Sequence, residues 1–180
     1  VGCMHIQAQI NDSLNAKKLS EIEISAQIKP SVSRSTTPLQ VIDNTEIERI
    51  GILSVSDAVR RFSGVTVKDY GGIGGMKTVS IRGMGAQHTA VSYDGVTMSN
   101  VQSGQIDISR FSLDNVSMIT LSIGQSDDIF QAARSYASAG LLEEITSNPA
   151  FKNKSYNGNI QVKSGSYWLF NPTVYYAHRL

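Results

Sequence analysis

Between Thr78 and Gly95 the chain consists of two short extended runs, each stopped by glycine. Val79 and Ile81 alternate with Ser80 and Arg82 before Gly83. Ala90, Val91 and Tyr93 make the second run, and Asp94-Gly95 turns the chain before Val96 resumes. Strands this short cannot enclose a core by themselves. Their apolar sides must be covered by elements from elsewhere in the chain.

The flanking sequence predicts such cover. Val41 and Ile42 suggest a strand, and Asp43 to Arg49 a brief helical turn capped by Asn44 or Thr45. Ser54 to Phe62 reads as a helix capped by Ser54 or Ser56, with Val55, Val59 and Phe62 on one face. Arg60 and Arg61 fall in its last turn, where they suit the helix dipole, and Ser63-Gly64 ends it. Val65 to Val67 is a strand and Gly71 to Gly75 a loop. Leu113 to Val116 suggests a turn of helix, Met118 to Ile123 a strand stopped by Gly124, and Leu141 to Thr146 a last strand. The expected class is α+β: a small mixed β-sheet with short helices and long loops, occupying residues 39–148.

Two segments flank that body. Residues 9–38 are polar or Pro/Ser/Thr-rich, a flexible composition, except that residues 19–26 alternate like a strand. There Leu19, Glu21, Glu23 and Ser25 share one side, and Ile22 and Ile24 share the other. Residues 1–8 suggest a signal-peptide remnant ending at Ala8; a lipidated Cys3 is the alternative. Beyond Pro149, Tyr156, Gly158, Ile160 and Val162 alternate with Asn157, Asn159, Gln161 and Lys163. A turn at Gly165-Ser166 and a second extended run follow. Apolar on one side and polar on the other, at this length, suits a β-hairpin facing lipid outward and a lumen inward, and equally an ordinary half-buried hairpin.

Composition excludes several functions. The net charge is +1, so no bulk field points to nucleic acid. A single cysteine allows no internal disulfide, and no apolar run is long enough for a membrane-spanning helix. The three histidines are scattered, and neither a nucleophile elbow nor a metal-ligand spacing occurs, so no catalytic residue, metal site or cofactor is expected. Asp94 reads as a turn residue rather than a base. The Gly71–Gly75 loop is followed by a strand rather than a helix, which argues against a phosphate cradle.

In order along the chain, these blocks resemble the N-terminal part of TonB-dependent outer-membrane receptors. Leu19 to Ala26 resembles the TonB box. Ser56 to Val65, Val79 to Gly83, Val91 to Val96, Met118 to Gly124 and Ala139 to Thr146 resemble successive blocks of the plug domain. There are departures: Ser63 stands at a proline position, Ile123 and Gln125 replace an arginine and a proline, and Glu143-Glu144 replaces a largely apolar pair. The chain is therefore similar to a divergent branch of the family.

The resemblance implies a plug that catalyses nothing, gates a barrel in the outer membrane and senses a transported nutrient such as a metal chelate, cobalamin or glycan. It implies three partners: the C-terminal domain of TonB, the protein's own β-barrel and the small ligand. Residues 149–180 would be the first two strands of a truncated barrel. Leu19, Glu21, Ile22, Glu23, Ile24 and Ser25 would pair with TonB, where an exposed extended backbone can add to a sheet edge. Asp69, Tyr70, Met76, Gln87, His88, Asn100 and Gln102, on three neighbouring apical loops, would contact the ligand. Arg82 would meet a carboxylate of the barrel, because a buried arginine demands one. The alternative is a soluble periplasmic binding or signalling module without a barrel.

Overall fold

In the computed structural model, residues 38–72, 74–124, 131–149, 151, 155–166 and 168–179 are described. The first strand, β1 (Leu39–Asp43), runs directly into helix α1 (Asn44–Ile50). The cap is Asp43 rather than Asn44 or Thr45: it keeps extended backbone, and its carboxylate accepts the Glu46 N–H at 2.9 Å. Gly51, at φ 69°, closes α1 in the left-handed conformation that glycine adopts without strain. Ser54 caps α2 (Val55–Val59) by accepting the Asp57 N–H.

Helix α2 is shorter than the sequence predicts. Residues 60–62 continue as tight turns through Arg61 N–H to Ala58 O and Phe62 N–H to Val59 O. Arg60 and Arg61 thus lie beyond the helix, but Phe62 still reaches the core beside Val55 and Val59.

Strands β2 (Val65–Asp69) and β3 (Lys77–Ile81) form an antiparallel hairpin. The main sheet holds β4 (Thr89–Tyr93), β5 (Val96–Met98), β6 (Val116–Ile123) and β7 (Gly140–Thr146) in the order β1-β6-β7-β4-β5. Only β4 and β7 pair in parallel. A 3-10 turn at Ile108–Arg110 precedes β6, whereas Leu113 to Asn115 is a plain turn leading into β6 at Val116 and not the turn of helix expected there. Helix α3 (Ala133–Tyr136) is one turn that the small and polar sequence around it does not announce.

Register decides which side chains face the core. Ile42, Ile119, Leu121, Leu142 and Val91 share one side of β1, β6, β7 and β4 through the pairs Ile42↔Ile119, Leu121↔Leu142 and Val91↔Leu142. Val55, Ala58, Val59 and Phe62 of the α2 segment and Val79 and Ile81 of β3 pack on that side, in one buried cluster with Ile47, Ile52, Ile108, Leu113 and Val116. Fully burying an aliphatic side chain of this size is worth roughly 1.5–3 kcal/mol.

The last two strands, β8 (Tyr156–Gly165) and β9 (Leu169–His178), form an antiparallel hairpin. Its polar residues Asn157, Gln161, Lys163, Thr173 and Tyr175 are half-buried, while Ile160, Val162, Phe170, Val174 and Tyr176 are exposed.

Candidate functional site

Three loops leave the β2–β3 hairpin and the β4–β5 corner, and each is built by its own local chemistry. In the first, the Asp69 carboxylate accepts the N–H groups of Gly71 (3.1 Å) and Gly72 (2.9 Å). Those two backbone bonds hold its carboxyl below the ordinary value, with Lys77 adding to the effect from 3.7 Å. Tyr70 N–H donates to Met76 O and closes the loop. A Cβ on Gly75 would stand 2.5 Å from the Gly71 Cα, so the chain can cross itself there only as glycine. Asp69 is therefore a loop-builder, and Tyr70 beside it is exposed.

The second loop, residues 98–105, is organised by Asn100, whose side-chain oxygen accepts the N–H groups of Gln102 and Ser103. It is tied to β3 where Lys77 N–H donates to the Asp107 carboxylate at 2.9 Å. Burial pushes the Asp107 carboxyl up, but the bonds from Lys77 and Ser109 outweigh that and hold it low. Gln102 and Val101 stand exposed at the loop tip. The third loop carries Met84 to His88, with Gln87 and His88 exposed.

The second loop joins the other two. On one side a hollow of about 530 Å³ lies between Met76, Met98, Asn100, Val101, Arg110 and Phe111. On the other a hollow of about 320 Å³ is lined by Gln87, His88, Gly104, Arg134 and Ser138. Arg134 donates to Gly104 O at 2.9 Å, joining α3 to that loop. The structure thus brings Met76 together with Asn100, and Gln87 together with His88, with loop 98–105 between the two pairs. The first and third loops stand at opposite ends of β3, and loop 98–105 borders a hollow with each.

Arg82 lies just past β3 in a turn, at φ 50°, with its N–H donating to Gly64 O at 2.8 Å and its side chain exposed. Leu19, Glu21, Ile22, Glu23, Ile24 and Ser25 fall outside the described residues.

Two arrangements escaped the sequence. Asp114 meets Lys163 of β8 at 2.6 Å, a direct contact between the sheet domain and the C-terminal hairpin. Glu144 is buried on the core side of β7, and neither carboxylate oxygen finds a hydrogen-bond partner among the described residues. The sequence signal for Glu144 was the acidic pair at a usually apolar position; for Asp114 there was none.

The family model for the TonB-dependent receptor plug domain matches residues 31–135. This chain belongs to that family. Solved receptors share the fold. The pyoverdine outer-membrane receptor FpvA from Pseudomonas aeruginosa PAO1 is 14% identical, over 77% of this chain and 19% of its own, with a TM-score of 0.59. The siderophore receptor PirA from Acinetobacter baumannii is 25% identical, over 72% of this chain and 19% of its own, at 0.54. The copper transporter OprC is 20% identical, over 82% of this chain and 22% of its own, at 0.60. The chain therefore spans about a fifth of the length of the receptors it matches. The matched residues run from before β1 into α3, and the three loops just described lie within them.

Proposed function

We propose that this plug gates an outer-membrane active transporter, with β8 and β9 as strands of the barrel wall. The observation that carries the reading is the polarity of the hairpin. Its polar side is turned onto the plug, and its apolar side, with Ile160 74% and Val174 72% exposed, faces away. A soluble module would turn these sides the other way, because an exposed apolar band in water gains nothing from folding. In a barrel wall the same arrangement puts the apolar band in lipid and the polar band toward the plug.

On this reading residues 39–148 are the plug and 149–180 belong to the wall. Tyr70, Met76, Gln87, His88, Asn100 and Gln102 border the sensing surface, with Asp69 shaping the first loop. Arg82, exposed beyond β3, is available to a carboxylate of the wall. The cargo is a small nutrient such as a metal chelate, cobalamin or glycan. Residues 19–26 are the segment for the TonB C-terminal domain to pair with, and TonB transmits work through it to the plug.

The test is binding of the purified TonB C-terminal domain to the chain, with Ile22→Pro as control. Proline removes a backbone donor and blocks strand addition. Binding that Ile22→Pro abolishes is the expected result. Absence of binding, under conditions where an established TonB box peptide binds, would move the assignment to a periplasmic module without a barrel.

A further inference from the structure

We propose that Asp114 anchors the plug to the barrel wall, a carboxylate on the plug held by a lysine and a threonine of the wall, at the end of the main sheet opposite loops 84–88 and 98–105. The inference rests on reading β8 and β9 as wall strands.

The contact is built from both strands. Lys163 of β8 donates to Asp114 Oδ1 at 2.6 Å, with the two side chains only 18% and 26% exposed. Thr173 of β9 adds a side-chain hydrogen bond, and Ser112 donates to Asp114 Oδ2 at 2.9 Å. The lysine bond leads in holding the Asp114 carboxyl below its usual range. A charged pair with both members largely withdrawn from water and further hydrogen-bonded is costly to break from one side only.

Its position gives the contact meaning. Asp114 precedes β6 at the end where Val116 pairs with Thr146, the last residue of β7. Ser147 N–H donates to Asn115 O at 2.8 Å there, so the covalent exit toward the wall and the ionic contact share one loop. The hollow of about 400 Å³ between plug and hairpin is lined on the plug side by Asn44, Glu48, Leu53 and Asn115, again at this end. Met98 and Thr89, from which loops 98–105 and 84–88 depart, mark the other end, as does Leu39, where the N-terminal segment enters. The plug–hairpin contact therefore lies at one end of the main sheet, and loops 84–88 and 98–105 leave the other.

The sign of the pair is also informative. The resemblance implies plug arginines facing wall carboxylates, yet one of those positions is Ile123, which is buried in the core cluster. Asp114 with Lys163 reverses the polarity and restores a plug–wall ion pair from a different loop.

The experiment is a double-mutant cycle on the chain, Asp114→Asn and Lys163→Met, read by hydrogen–deuterium exchange. Each single change is expected to speed exchange at residues 112–116 and along β8 and β9 by about tenfold. The double variant should exchange no faster, loops 84–88 and 98–105 should be unaffected, and the swapped pair Asp114→Lys with Lys163→Asp should recover most of the protection. Additive effects, or losses spread evenly over the plug, overturn the anchor. A variant that fails to fold shows lost protection in β6 and β7 as well, and the swapped pair then serves as the deciding arm. Trp168 emission in detergent micelles tests the wall reading separately: coupling at Asp114 without a Trp168 shift leaves an intramolecular clasp but removes the wall.

Discussion

Glu144 shows how one residue can set a protein's pH response. It pairs with Ile119 on one side and Tyr93 on the other, on the core side of the sheet, at 3% exposure. Burial, with the charge of Asp94 adding to it, raises its carboxyl to about 7. Tyr93 is pushed up for the same reasons: burial first, then Glu144 and Asp94. In the unfolded chain Glu144 ionises near its ordinary value, while in the folded chain it stays protonated to near neutrality. The folded state therefore binds more protons between about pH 4.5 and 7, and stability falls as pH rises through that window. The loss is on the order of 3 kcal/mol. Glu144→Gln should flatten the difference between urea midpoints at pH 5 and pH 8 and raise the midpoint at pH 8; an unchanged difference would refute this account. The acidic pair was visible in the sequence as a departure, but its burial was not, because alternation does not say whether a sheet has one covered side or two. Ser63 is the converse case. The resemblance puts a proline there, and Ser63 instead makes a distant contact that proline could not: its N–H donates to Gln40 Oε1 at 2.7 Å, and Gln40 Nε2 donates back to Ser63 O. Asp94 matched its expected turn role at φ 47°, and also accepts Thr146 N–H and Oγ1–H at 2.7 and 2.8 Å, a link across 52 residues that no local pattern contains.

At the scale of elements, strands were legible because their ends carry glycine or Asp-Gly and their side chains alternate. The α2 segment was legible through Val55, Val59 and Phe62, though its helical hydrogen bonding stops earlier than that spacing suggests. The 3-10 turn at Ile108–Arg110 was not legible, because Asp107 builds it with a carboxylate already shared with Lys77 from β3. A tight joint between elements is Gly140, where β7 begins. A Cβ there would meet Ser122 O at 2.7 Å and Ile81 Cδ1 at 2.9 Å, so β6 backbone and β3 side chain close on it at once. Gly140 does not need positive φ; what it needs is space. Gly140→Ala should therefore destabilise the plug by about 1–3 kcal/mol through overpacking. The paired change Gly140→Ala with Ile81→Val should not recover full stability, since the Ser122 carbonyl cannot yield as a side chain can. Thermal unfolding of the three chains checks this, and a Gly140→Ala midpoint equal to the parent's would show that the joint is looser than the geometry implies.

For the whole molecule, the decisive property is that its two β-structures bury opposite kinds of surface. The plug hides its aliphatic residues between sheet and helices, whereas the hairpin hides polar ones and exposes aliphatic ones. The alternation at residues 156–163 made the hairpin two-sided in the sequence, with the polar side inward, but its contact at Asp114, 49 residues from Lys163, carries no sequence signal. The register places Ile160 opposite Val174 and Val162 opposite Pro172, so the outward side is a continuous apolar band across both strands. Trp168 is the chain's single tryptophan and is fully exposed in the turn between them. Its fluorescence therefore reports on the hairpin alone. On addition of detergent micelles its emission should move to shorter wavelength and become protected from iodide. Ile160→Lys puts a charge in the middle of the band and should weaken that partition by about tenfold or more, in line with the 2–4 kcal/mol cost of a cation at mid-membrane depth. Gln161→Lys, one residue along but on the plug side, should leave it unchanged. Since neighbours in a strand share depth and differ only in side, equal losses in the two variants would show that the apolar band does not select lipid, and the wall assignment would fall with it.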